Sequence, residues 1–322
     1  MTNRTTMAEF LLRGLSDVRE LQILHFVVFL VIFLMALVGN LLVITLVALD
    51  YRLHTPMYFF LMNLSILDIG SISVIVPKSM VNSLLNTKTI SYPGCVAQVF
   101  LFILFTATDF AFLTVMAYDR YVAICQPLHY ERVMNRKACV HMATSAWISG
   151  IVNSVLNTGN TFAINFCGGN TVDQFFCEIP QLLKLACPDS DITEVGVIVF
   201  STALFFSCFV LIILSYIQIF RAVLRIPSEQ GRHKAFSTCL PHLAVVSLFL
   251  CTASFGYLKP PSSSASRLDL VVSVLYAVVP PVMNPVIYSR KVPNSWPNGV
   301  RHVDPPLMYP CVAGLIPRSD TE

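Results

Sequence analysis

Four charged side chains stand in apolar surroundings that have little use for charge. Asp119 and Arg120 are adjacent near the end of an apolar run over residues 96–125. Asp109 lies eleven residues before Arg120 in the same run, and Asp68 sits near the middle of another. A charge at the centre of a membrane helix costs about 2.5–3.5 kcal/mol on insertion scales. Eleven residues is close to three helical turns, so Asp109 and Arg120 share a face about 16 Å apart along the axis. Asp119 and Arg120 can simply snorkel into headgroups and mark a helix end. The sharper chemistry is a switch in which Arg120 exchanges Asp119 for an intracellular partner. Asp68 and Asp109 need a common solution: one is protonated, or a cation such as sodium lies between them. Asn40 and Asn284 fall at compatible depths and complete a polar core. Such a cluster either rearranges as a switch or merely holds helices together.

Other chemistry finds no matching residues. His25, His54, His129, His141, His233, His242 and His302 are scattered, mostly at the ends of apolar runs, and none forms an H-E-x-x-H set. No metal site and no nucleophile–base pair is expected, so the chain does not read as an enzyme. No basic cluster interleaved with aromatics points to nucleic acid. A channel or transporter would show a continuous polar path, and many carry repeated halves; neither is visible.

These residues must be positioned by helices in a bilayer. Of 322 residues, 55% are hydrophobic and 12% charged, half the charged share of an ordinary soluble chain at about 25%. Seven apolar stretches can be read, near 23–49, 57–81, 96–125, 139–160, 194–221, 236–258 and 270–289. Each approaches or exceeds the ~20 residues that cross a bilayer as a helix. The sequence therefore predicts an all-α membrane protein, a seven-transmembrane helix bundle over 23–289. Basic residues gather on one side, at Arg52, Arg120, Arg132, Arg136, Lys137, Arg221, Arg225, Arg232, Lys234, Arg290 and Lys291. That side is cytoplasmic. Residues 1–22 then form an extracellular amino-terminal tail and 290–322 a cytoplasmic tail. The sequon at Asn3 agrees, since glycosylation needs a lumenal position. A second sequon, at Asn63, falls inside a span and should be unreachable. No cleaved signal peptide is expected; the first span serves as its own.

Cys95, Cys167, Cys177 and Cys187 fall on the outer side, where disulfides persist. Four cysteines allow three pairings, and spacing alone does not choose. Cys125, Cys139, Cys208, Cys239 and Cys251 read as packing residues or cytoplasmic thiols.

Several stretches carry a family resemblance. Met116-Ala-Tyr-Asp-Arg-Tyr-Val-Ala-Ile-Cys125, with Pro127-Leu-His-Tyr130, resembles the inner end of the third helix of a rhodopsin-like G-protein-coupled receptor, and the odorant (olfactory) receptor branch in particular. Gly39-Asn40, Leu53-His-Thr-Pro-Met-Tyr-Phe-Phe-Leu61 through to Asp68, Ser215-Tyr216, Lys234-Ala-Phe-Ser-Thr-Cys-Leu-Pro-His-Leu243, and Asn284-Pro285 with Tyr288 are similar to that family's signatures in order.

The resemblance implies a plasma-membrane receptor with sensory function. A small odorant would be its ligand and a stimulatory G protein, raising cAMP, its partner. It implies disulfides Cys95–Cys177 and Cys167–Cys187. It implies switch and coupling roles for Asp119, Arg120, Tyr121, Tyr216, Lys234, Asn284, Pro285 and Tyr288. It also implies a ligand site in the outer half, lined by Phe102, Ile103, Thr106, Ala107, Phe200, Leu204, Ala253, Ser254, Tyr257 and Ala277. That lining is apolar with a few hydroxyls, the make-up of a small-molecule pocket. It holds no acid for an amine ligand, and the seventh span has no lysine for a retinal Schiff base, so a neutral lipophilic ligand fits best. The alternatives are a non-odorant lipophilic ligand, or a poorly coupling variant.

Two features depart from the family. Leu250 stands where an aromatic residue is usual. After Ser289 the family's basic amphipathic segment, which lies on inner-leaflet lipid, gives way to a proline-punctuated stretch expected to be disordered.

Overall fold

The computed structural model describes residues 8–187, 192–257 and 267–289. Among them are seven long helices: α1 (Arg19–Leu49), α2 (Pro56–Leu85), α3 (Tyr92–Cys125), α4 (Arg136–Ala163), α5 (Ile192–Leu224), α6 (Glu229–Tyr257) and α7 (Arg267–Ser289). Six are long and apolar enough to cross a membrane, and α7 contributes the shorter apolar stretch Val272–Tyr288. Large apolar side chains such as Val31, Leu42, Phe206 and Leu211 point outward, the arrangement of a bundle whose solvent is lipid.

Local chemistry sets the helix ends. Pro56 opens α2 at a position where a missing N–H costs nothing, and α2 closes on Asn86 in the left-handed region at φ 50°. Ser91 caps α3 by accepting the Gly94 N–H, and Asn135 caps α4 by accepting the Ala138 N–H at 3.0 Å. Beyond α3 the chain turns through Pro127–His129 and the short helix Tyr130–Val133.

The prolines of α7 explain the Gly39-Asn40 pair. Pro285 has no N–H for the carbonyl of Pro281, four residues back. Asn40 supplies the missing donor: its Nδ2 lies 2.9 Å from that carbonyl and 3.0 Å from Ala36 O. Gly39 leaves room for the approach, since a Cβ there would meet the Pro285 ring at 3.1 Å.

On the outer side three short strands form a sheet in the order β2-β1-β3, where β1 is Glu9–Leu12, β2 is Thr89–Ser91 and β3 is Thr171–Val172. β1 runs antiparallel to β2 and parallel to β3. The residues expected as a tail thus divide: 9–12 are a strand, and α1 begins four residues earlier than expected. Arg19 there donates to Leu84 O at 2.8 Å, and Gln22 donates to Asn86 Oδ1 at 2.7 Å, so the outer end of α2 holds that extra turn. The structure joins Cys95 to Cys177 and Cys167 to Cys187.

Three apolar clusters fill the molecule. An inner one packs Leu64, Leu67, Leu113, Met116, Ile219, Val246 and Tyr288. An outer one packs Phe29, Ile72, Ile75, Phe102, Phe175, Phe176 and Ala277. A cap cluster gathers Phe10, Leu12, Ile90, Val172 and Leu182 around the sheet.

Candidate functional site

Arg120 ends its run of α3 against its own neighbour. Its Nη2 lies 2.5 Å and its Nε 3.0 Å from Asp119 Oδ2. Tyr130, from the turn after α3, donates to the other carboxylate oxygen at 2.8 Å. Burial first, then the Asp119 carboxylate, pushes the Tyr130 phenol above its usual range, so it remains a donor. Asp119 is therefore satisfied on both oxygens while Arg120 is held sideways.

Two turns above Arg120, one ring ties three helices. His242 of α6 is 2% exposed. Its Nε2 lies 3.0 Å from Leu113 O on α3, and its Nδ1 lies 2.7 Å from the Tyr216 hydroxyl on α5. A carbonyl only accepts, so Nε2 carries the hydrogen, and in the neutral ring Nδ1 accepts from Tyr216. His242 is an exception among histidines expected mostly at span ends: it lies thirteen residues into α6, beside Pro241. Its signal in the sequence was its place in a signature stretch directly after a proline.

The polar core comes next. Asp68 is 3% exposed and Asp109 8%. Asn284 Nδ2 donates to Asp68 at 3.0 and 3.2 Å. Asp109 Oδ1, Asn40 Oδ1 and Asn284 Oδ1 are buried with no hydrogen-bond partner among the described residues, as is the Tyr288 hydroxyl. Beside this core an aromatic stack crosses the bundle: Phe110 of α3 stacks on Phe205 of α5 at 4.3 Å and on Phe249 of α6 at 5.3 Å. Leu250 departs from the family pattern, yet the buried ring is supplied one residue earlier.

The outer half is closed by the loop after α4. Phe176 packs edge-on against Phe102 at 5.5 Å, and Phe175 packs against Phe29 of α1 at 6.1 Å. Gln174 donates to the Ser273 hydroxyl of α7. Gln98 of α3 accepts the Cys177 N–H at 2.8 Å and donates to Val74 O of α2 at 3.0 Å. The sequence reading did not single out these loop residues, because a loop carries no periodicity to show which side chains turn inward.

Residues 29–297 match the olfactory receptor family model. Human olfactory receptors 14J1 and 14A16 are 53% and 50% identical over 291 residues, covering 90% of this chain and 91% and 94% of theirs. The fold is shared with squid rhodopsin, whose crystal structure superposes with a TM-score of 0.70 over 86% of this chain and 79% of that one, at 18% identity. This chain belongs to the olfactory receptor family. It is accordingly an odorant receptor that signals through a G protein, a multi-pass protein of the plasma membrane, and not an enzyme. The family match runs eight residues past Ser289, where the sequence reading ends the resemblance.

The receptor does not bring all its predicted site residues together. Phe102 and Ala277 meet in the outer cluster. Ile103 turns instead to the cap cluster. Thr106, Ala107 and Leu204 are half-buried, whereas Phe200 is 46% exposed and Ser254 is exposed. Tyr121 is half-buried and accepts from Gln126 at 3.1 Å, away from the Asp119 carboxylate. The side chains of Lys234, Ala253 and Tyr257, the sequon at Asn3 and the tail 290–322 lie outside the described residues. Asn63, the second sequon, sits within α2, bonded to Trp147 at 3.3 Å. An open crevice on the outer face, lined by Arg13, Gln22, Asn82, Lys88 and Phe175, contains none of the predicted ligand residues.

Proposed function

We propose that this receptor takes a small neutral lipophilic odorant in the outer half of the bundle and couples to a stimulatory G protein, raising cAMP. One observation carries the ligand class. The predicted lining residues Phe102, Ile103, Thr106, Ala107, Phe200, Leu204, Ala253, Ser254, Tyr257 and Ala277 include no charged side chain, and the first carboxylate on α3, Asp109, lies about 10 Å below Phe102 at ~1.5 Å per residue. A charged ligand would lose its hydration there without a counter-ion. Ligand binding favours an arrangement in which α6 leaves α3, His242 leaves Leu113 O, and Arg120 exchanges Asp119 for the G protein. Tyr216, Tyr288, Asn284 and Pro285 steady the open form, Lys234 meets the G protein, and inner-leaflet lipid surrounds the exit.

The oxygens of Asp68, Asp109, Asn40 and Asn284 are a hard donor set of the kind that suits sodium, and a bound sodium would favour the resting arrangement. Cells expressing the receptor should raise cAMP in response to some member of a panel of neutral volatile alcohols, aldehydes and esters. A response confined to charged amines or acids would sink the ligand class, and a response without cAMP would sink the partner. Potency should fall as sodium rises, and Asp68→Asn or Asp109→Asn should remove that dependence.

A further inference from the structure

We propose that the amino-terminal strand β1 is a positioning element of the ligand site, holding loop residues 172–176 against the outer end of the bundle. The role at the ligand rests on the reading above; the hold on the loop does not.

β1 is the central strand, so β2 and β3 are joined only through it. Its N–H groups alternate sides as an extended chain requires. Leu12 donates to Lys88 O at 2.6 Å on the α2–α3 side, while Leu11 donates to Asn170 O at 2.8 Å on the loop side. The Arg13 N–H, just past the strand, is shared between Val172 O at 3.0 Å and Gln174 O at 2.9 Å. Phe10 is fully buried, stacked on Tyr92 at 6.0 Å and edge-on to Phe166 at 5.7 Å. Phe166 adjoins Cys167, so the anchor reaches the second disulfide as well.

The loop segment thus has two fixed ends. The Cys95–Cys177 bond fixes one. A disulfide restrains a point and leaves the preceding residues free to swing. Among the described residues β3, two residues long, pairs with no other strand, so β1 fixes the second end. Between these ends Gln174 reaches α7, Phe175 reaches α1 and Phe176 reaches α3. Loss of β1 would let these contacts open while both disulfides stay intact. A site whose closed form is populated only part of the time binds with an affinity reduced by that fraction.

The test uses the full-length receptor, purified into lipid nanodiscs for hydrogen exchange and expressed in cells for cAMP. Leu11→Pro deletes the N–H bonded to Asn170 O at a partly exposed position, and Leu11→Ala keeps it. Amides 171–177 should exchange about tenfold faster in Leu11→Pro and at the parent rate in Leu11→Ala. Potency of whichever alcohol, aldehyde or ester activates the parent should fall about tenfold, with maximal cAMP per surface receptor retained. Should Leu11→Pro not reach the surface, Phe10→Ala reads the same effect through lost packing, and Phe10→Leu should restore most of it. Unchanged exchange at 171–177 in both variants overturns the proposal. Faster exchange with unchanged potency also overturns it, since the loop would then not serve the ligand. If no compound activates the parent while exchange responds, the ligand reading falls and the hold of β1 on the loop stands.

Discussion

Arg120 is the residue whose surroundings say most about its work. A guanidinium bonded twice to an adjacent carboxylate, itself completed by Tyr130, rests in a satisfied arrangement with no need of a second protein. In Arg120→Ala the Asp119 carboxylate keeps its hydrogen bond from Tyr130. Arg120→Ala should abolish ligand-driven cAMP while surface staining is largely kept; normal output from a well-expressed variant would refute the switch. Tyr216→Phe and Tyr288→Phe should weaken signalling less severely. His242 acts on the resting side. It makes two interhelical hydrogen bonds, each contributing about 0.5–1.5 kcal/mol net. His242→Ala should therefore raise ligand-free cAMP by about twofold or more, measured per surface receptor; an unchanged or lower basal level would exclude a restraining role. At this scale the sequence was half legible. Charge inside an apolar run announced Asp68, Asp109 and Arg120. A neutral histidine among apolar residues announces nothing until its two partners, far away in the chain, are known.

Between elements, the prolines of α7 were legible as a problem but not as a solved one. A run containing Pro280, Pro281 and Pro285 reads as a doubtful span; the structure shows that α1 supplies a donor to the carbonyl that Pro285 deprives. This makes a double-mutant cycle informative. Asn40→Ala orphans Pro281 O and should cost about 1–3 kcal/mol of stability. In a Pro285→Ala background residue 285 regains its N–H, so Asn40→Ala should cost clearly less. Thermal unfolding of the purified receptor measures both, and strict additivity would mean that Asn40 does not answer to Pro285. Across the outer cap, Cys95→Ser and Cys177→Ser should lower surface delivery equally, and the double variant no further, since either removes the same bond. Helix existence was readable from hydropathy, and most ends fell within four residues. The strand at 9–12 was not, because its backbone pairs with strands about eighty and a hundred and sixty residues away. Which face of α5 turns inward was equally hidden, because apolar residues run all the way round that helix.

For the molecule as a whole, seven spans, their orientation and the family were all carried by composition and by signatures in order. What remains is delivery and coupling, and there the final segment matters. After Lys291 the basic residues are sparse, Arg301, His302 and Arg318, and prolines recur at 293, 297, 305, 306, 310 and 317. Each proline inside a helix costs about 3 kcal/mol. An amphipathic helix on the inner leaflet depends on a continuous apolar face and on attraction of basic residues to anionic lipid. This sequence offers neither. The family resemblance implies such a helix directly after the last span, beside the surface where Arg120 would meet the G protein. Among the described residues the Asp68–Asn284 bond and the buried Tyr288 already close the inner core. Replacing residues 290–322 by a basic amphipathic helix should therefore leave potency for the odorant unchanged. It should raise surface staining, maximal cAMP, or both, relative to the native chain in the same cells. If neither rises, anchoring of the inner face to lipid does not limit this receptor, and its weak point lies within the bundle.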